Sequence, residues 1–161
     1  MTADPPGAVA VSIEHYLWFV DQALDDMAAI VRELGDEVAN RRPAFEGANS
    51  PYVILTHCLG VLAFWGGATV AERDVTRDRA AEFTAHGSVE DLVARSVQAR
   101  TRLEADVVGL EAGAVPANLS PDEDDVPYAQ AKGSVLLHIL EELYQHLGQM
   151  ELTRDLLRAG R

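Results

Sequence analysis

The chain has 161 residues, with 26 acidic side chains against 13 basic ones and a formal net charge of −13 at pH 7. That balance excludes nucleic acid and anionic membrane surfaces as partners, since both are held by clustered Lys and Arg. Hydrophobic residues make up 48% of the chain, enough for one domain over residues 1–161 with a core of its own.

The N-terminal "MTADPPGAVAVS" has no basic region followed by a long apolar run, so it does not read as a signal peptide. No apolar stretch is expected to reach the ~18 residues of a membrane span. Cys58 is the only cysteine, which rules out an intramolecular disulfide and points to a reducing cytoplasm.

The first helix is expected from Ser12 to Asn40. The Ser12 hydroxyl is placed to accept a free backbone N–H, and Ile13, Leu17, Val20, Leu24, Met27, Val31 and Leu34 make one apolar stripe. The second opens at "NSPY", with Ser50 as cap and Pro51 at the first helical position, and fades near Glu72. Val53, Ile54, His57, Val61, Phe64 and Ala68 share its inner face. A charged connection, "RDVTRDRAAEF", leads to a third helix capped by Ser88, with Leu92, Ser96, Ala99, Leu103, Val107 and Leu110 inward. Residues 111–127 are rich in Pro and Asp and read as a long surface loop, the longest irregular stretch of the chain. The fourth helix is expected from Tyr128 to Ala159. Four such helices with no strand pair indicate an all-α four-helix bundle, a fold that builds metal sites from side chains on facing helices.

On the fourth helix, Ile139, Leu143, Met150 and Leu157 mark the buried centre. At about 100° per residue, His146 falls about 20° from that centre and Glu142 about 60° from it, while Glu141 points away. Glu142 and His146, one turn apart, converge with His57 on paper. Two imidazoles and a carboxylate suit a divalent transition metal and leave a coordination position free, as in catalytic zinc sites. The residues alone allow a plainer reading, in which His57 is a hydrogen-bonded core histidine and Glu142 is neutralised by Arg100 or Arg102. His138 falls about 100° off centre, too far along the axis from His146 to share an ion with it. His15 reads as a half-buried structural histidine or a wall of the cavity, and His86 as exposed. Cys58 reads as a small buried filler, and Tyr144 has no assigned role. "SPDEDDVPY" has a calcium-like composition without the EF-hand order and reads as solvated loop.

The segments "SPYVILTHCLGVLAFW", "RDRAAEF" and "LLHILEELYQHLGQMELTRDLL", with the H-x3-E-x3-H ladder in the last, resemble the DinB-like superfamily. The likeness is greatest to its actinobacterial mycothiol-dependent branch, which holds maleylpyruvate isomerases and thiol S-transferases, and it covers nearly the whole chain. It implies a DinB-like bundle with a divalent metal at one end, held by His57, Glu142 and His146. Zinc is the first expectation, and nickel, iron and manganese suit the same donors. His138 and Gln149 would orient ligands or substrate from behind. The isomerases of this branch carry a further C-terminal domain, whereas its bundle-only relatives include thiol S-transferases. The resemblance therefore implies a homodimeric transferase in which a metal-bound thiolate of mycothiol attacks a small electrophile. Two rivals stand beside it: a hydrolase using metal-bound hydroxide, and a non-catalytic bundle that binds a metal or small molecule.

Overall fold

The computed structural model describes residues 9–119 and 126–160. Among them there is no strand, and the helices are α1 (Ile13–Ala39), α2 (Pro51–Val61, continued by a π-helical stretch Leu62–Val70), α3 (Arg79–Glu82), α4 (Val89–Val107) and α5 (Lys132–Arg158). A 3-10 turn at Pro127–Ala129 precedes α5. The four long helices form the expected all-α bundle. The acidic run at 120–125, with its calcium-like composition, lies outside the described residues.

Three of the starts follow from local chemistry. The hydroxyls of Ser12, Ser50 and Ser88 accept the backbone N–H of His15, Val53 and Asp91 at 3.1, 3.2 and 3.4 Å, each satisfying a donor that the first helical turn leaves free. The α1 helix breaks at Gly35, whose φ of 67° suits glycine, and one last turn carries Asp36 outward. The Asp36 carboxylate then accepts from Val89 N at 2.8 Å, tying the end of α1 to the start of α4.

Side-chain pairs fix the directions of the helices. Phe19–Tyr144 and Glu33–Arg158 contacts run α1 parallel to α5. Asp21–Arg100 and Arg32–Glu90 run α1 antiparallel to α4. His57 beside Glu142, and Trp65 beside His138, run α2 antiparallel to α5. The bundle is thus up-down-down-up, and a return segment, 71–88, must climb from the end of α2 to the start of α4. The short helix α3 sits in that return, where the sequence suggested only a charged connection.

The core is built from Met27, Leu55, Leu62, Leu92, Leu103, Ile139, Leu143 and Met150, all under 2% exposed; each contributes about 1.5–3 kcal/mol by leaving water. The helix α2 with its π continuation is apolar on every side. By length and composition Pro51–Val70 could cross a membrane, with mean hydropathy 1.7, which corrects the expectation that no stretch would qualify. The bundle buries 83% of that window, as it would a core helix. Within the π stretch, a Cβ on Gly66 would come within 2.5 Å of Leu103 Cδ1, so glycine there lets α4 close against α2.

Candidate metal centre

His57 projects from α2, and Glu142 and His146 from α5, one turn apart. Glu142 Oε2 lies 3.6 Å from His57 Nε2 and 3.4 Å from His146 Nε2. One ligand atom from each of the three residues falls within 4.8 Å of the others. The imidazole rings stand edge to face, their centroids 4.8 Å apart. His57 is 4% exposed, whereas the side chains of Glu142 and His146 are 23% and 22% exposed, so the group has a closed back and an open front.

The outer nitrogens are occupied. His57 Nδ1 donates to Glu82 Oε2 at 2.8 Å, and Glu82 in turn takes Arg77 Nε at 2.6 Å and Nη2 at 3.0 Å. His146 Nδ1 donates to Gln149 Oε1 at 2.9 Å. Each imidazole thereby has an acceptor behind Nδ1 and turns Nε2 toward Glu142, the arrangement in which an acceptor behind a histidine orients it toward a metal. Gln149, which the sequence placed on the flank close behind His138, lies against His146 instead. Glu82 and Arg77 were missed. The available signal was the need of an inward histidine for a second partner, together with the acid in "RDRAAEF".

Proton affinities follow the contacts. Hydrogen bonds from His146 and then His57 hold Glu142 well below the usual carboxylate range, against the raising effect of its burial. The Glu142 hydrogen bond raises His146, outweighing burial and the nearby Arg79 charge. Burial works to raise Glu82, but Arg77 and His57 overcome it and leave it lowered. Burial pushes the Cys58 thiol far up, and the charges of Glu142 and Glu82 add to this. Cys58 is therefore held as a neutral thiol in the core, as expected of a filler, and is not a nucleophile.

The plainer reading of Glu142 does not hold, because Arg100 pairs with Asp21 and Glu104 and Arg102 is exposed. His138 stands apart from the three. Its ring stacks on Tyr128 at 3.9 Å and 9°, meets Trp65 edge-on at 4.9 Å, and its Nδ1 lies 3.1 Å from Glu141 Oε2. The flank position expected for it is nonetheless buried, because Trp65 and the turn carrying Tyr128 cover it. His15 is exposed, so it does not line a cavity, and His86 is exposed as expected. Tyr144 is 41% exposed, its hydroxyl donating to Phe19 O.

No curated protein and no solved structure matches the chain. Residues 16–159 match the family model described as Mycothiol-S-transferase, a span that takes in the His/Glu/His group, its carboxylate backing and the four long helices from Tyr16 onward. The chain therefore belongs to the mycothiol S-transferase family of DinB-like proteins.

Proposed function

We propose that this protein is a metal-dependent S-transferase that joins mycothiol to a small electrophile, with zinc held by His57, Glu142 and His146. The observation that carries the reading is the donor set. Bonds of about 2.0–2.1 Å at tetrahedral angles put neighbouring ligand atoms about 3.3 Å apart. Glu142 Oε2 lies 3.6 and 3.4 Å from the two Nε2 atoms, longer than a good hydrogen bond and close to that spacing.

A divalent cation bound there would supply Lewis acidity that favours thiolate over thiol near neutral pH. The chain's own residues prepare for it. Glu82 and Gln149 stand behind Nδ1 of the two imidazoles and keep Nε2 turned toward the place a cation would take. Arg77 keeps Glu82 ionised. The closed back behind His57 keeps water away from one side, while the exposed edge of Glu142 and His146 admits substrate. In the transfer the thiol yields its proton to solvent, its sulfur bonds to the electrophilic carbon, and the bonding pair of the bond that breaks goes to the departing halide or to the epoxide oxygen, which takes up a proton. Because Cys58 is buried and protonated, the thiol comes from outside the chain. A homodimer in the cytoplasm is the proposed working form, and light scattering on the purified protein tests the dimer.

The experiment combines metal analysis with a conjugation assay using mycothiol and a halogenated or epoxide electrophile. Conjugate formation that disappears with chelator and in His146→Gln supports the proposal. Turnover that needs no thiol would favour a hydrolase. Protein without stoichiometric metal, whose Tm is unmoved by chelator, would favour a non-catalytic bundle.

A further inference from the structure

Acids outnumber bases 26 to 13 in this chain, and most of the described Lys and Arg side chains sit beside a carboxylate. Arg73 pairs with Asp106, Arg77 with Glu82 and Arg100 with Asp21. Arg42 is taken up by the carbonyls of Ala48 and Phe83. Among the described residues, Arg79, Arg95 and Arg102 have no carboxylate partner and no side-chain hydrogen bond.

Arg95 and Arg102 stand on α4. Arg79 opens the short helix α3, three and four residues before Glu82 and Phe83. Those spacings share one side of a helix, and here that side is laid against the metal centre. Glu82 Oε2 lies 2.8 Å from His57 Nδ1, and the ring centroids of Phe83 and His57 are 5.3 Å apart. Both ends of the turn are pinned there: Asp78 accepts from Ala81 N at 3.0 Å, and Arg42 holds the Phe83 carbonyl at 2.5 Å. Arg79 itself is exposed, and its charge is felt by His146. A guanidinium without a counter-ion therefore stands at the open edge of the centre, where Glu142 and His146 are reached by solvent.

The other charges at that edge cancel. A divalent cation, the Glu142 carboxylate and a bound thiolate would together be neutral, and Glu82 offsets Arg77. The charge of Arg79 is left over. We propose that Arg79 sets substrate preference by receiving a carboxylate on the electrophile, so that the preferred substrates are small electrophiles carrying one negative charge. The inference rests on the transferase reading above. A planar guanidinium takes a carboxylate through two parallel N–H donors, which anchors one end of the molecule and leaves its reactive carbon to the thiol. A single cation in a chain of net charge −13 suits a monoanion.

Iodoacetate and iodoacetamide make a matched pair of probes that differ chiefly in charge. With either, the thiol proton passes to solvent, the sulfur of mycothiol bonds to the methylene carbon, and iodide leaves with its bonding pair. Thioether formation above the uncatalysed rate is followed on the zinc-loaded full chain. The ratio of kcat/KM for iodoacetate to that for iodoacetamide should fall about five- to ten-fold in Arg79→Gln, mainly through KM, as for one charged hydrogen-bonded pair open to solvent. Arg79→Lys should keep part of the preference. Arg102→Gln removes the same charge from α4 and should leave the ratio as in the parent. In zinc-loaded protein saturated with mycothiol, propionate has no leaving group and should shift the Arg79 Nε–Hε NMR signal saturably, whereas propionamide should not. A ratio unchanged in Arg79→Gln, an equal fall for both probes, an equal fall of the ratio in Arg102→Gln, or an unmoved Arg79 signal overturns the role of Arg79 and leaves the transferase reading standing. No thiol-dependent conjugation of either probe by the parent overturns both.

Discussion

The Glu82 carboxylate offers the sharpest test of how the centre is built. Glu82→Gln keeps the side chain's shape but removes its charge. Two losses follow. His57 Nδ1 gives up a charge-assisted hydrogen bond of 2.8 Å, so nothing holds its Nε2 toward Glu142 as firmly. A hydrogen bond to a charged group is worth about 1.5–3 kcal/mol, and an outer partner of a ligating histidine typically contributes 10–100-fold in metal affinity. These agree, since that range converts to about 1.4–2.7 kcal/mol. Arg77 also loses its counter-ion. Its side chain is 15% exposed and that of Glu82 9%, so the pair lies between surface and buried limits and its loss should cost about 1–3 kcal/mol. For a chain of this size that lowers the Tm by about 3–10 °C. Competition against a chromophoric zinc chelator reads the first effect and thermal melting of the metal-free protein reads the second. A folded Glu82→Gln protein that binds zinc within two-fold of the parent would refute the positioning role, whatever its Tm.

Three further outcomes are expected. His146→Gln should lose metal almost entirely, whereas His138→Gln should keep metal near the parent level and lose about 1 kcal/mol of stability from its stacking on Tyr128 and Trp65; equal metal loss in both, read by elemental analysis, contradicts this. Gly60→Ala gains helix propensity worth about 1 kcal/mol, yet its Cβ would meet Glu82 Oε1 at 2.1 Å and Arg77 Nε at 3.1 Å, so it should weaken metal binding and lower the Tm; a more stable variant with full affinity would show that α3 yields freely. The metal-free protein should show a pH signature of the Glu142–His146 pair. The lowered Glu142 contributes stability above the ordinary carboxylate range and loses it as pH falls, while the raised His146 contributes below the ordinary imidazole value near 6.5 and loses it as pH rises through its higher folded value. Metal-free Tm should therefore fall from about pH 6 to 8 relative to His146→Gln, while zinc affinity of the parent rises over the same interval as His146 gives up its proton; a Tm difference that is flat or rises there counts against the pair.

The parts of the fold written locally were legible. Ser12, Ser50 and Ser88 announced helix starts because a cap is a contact between a hydroxyl and an N–H three residues on. The stripes of α1 and α4 were legible because a helix buries one face. The start of α5 was not. It lies at Lys132 rather than Tyr128, and its cap residue Ala131 offers no side-chain bond. Its first N–H groups are satisfied instead by the carbonyls of Ala112 and Ala114, at 2.8 and 2.9 Å. That is a tertiary contact with no trace in the residues beside it. His138 illustrates the same limit. A wheel placed it on the flank correctly, but the flank is buried because Tyr128 folds over it.

The centre divides along the same line. Glu142 and His146 were legible as a pair because four residues is one turn. His57 was legible as inward, but joining it to the pair required that α2 run antiparallel to α5. The backing of His57 was legible only as a need for a second partner, since Glu82 lies 25 residues away. The topology shows why it is nevertheless there. Because α2 and α4 run in the same direction, the chain must climb back along the bundle between them, and that return passes the outer side of α2. Any residue carried on it at the level of His57 reaches the imidazole from behind, at Nδ1, leaving Nε2 to the interior. Gly60, three residues after His57 and bare of a side chain, is where Glu82 and Arg77 approach. The parallel pairing of α2 and α4 thus does more than close a core. It forces the return segment to pass His57, where an acid can fix the tautomer that a metal ligand needs.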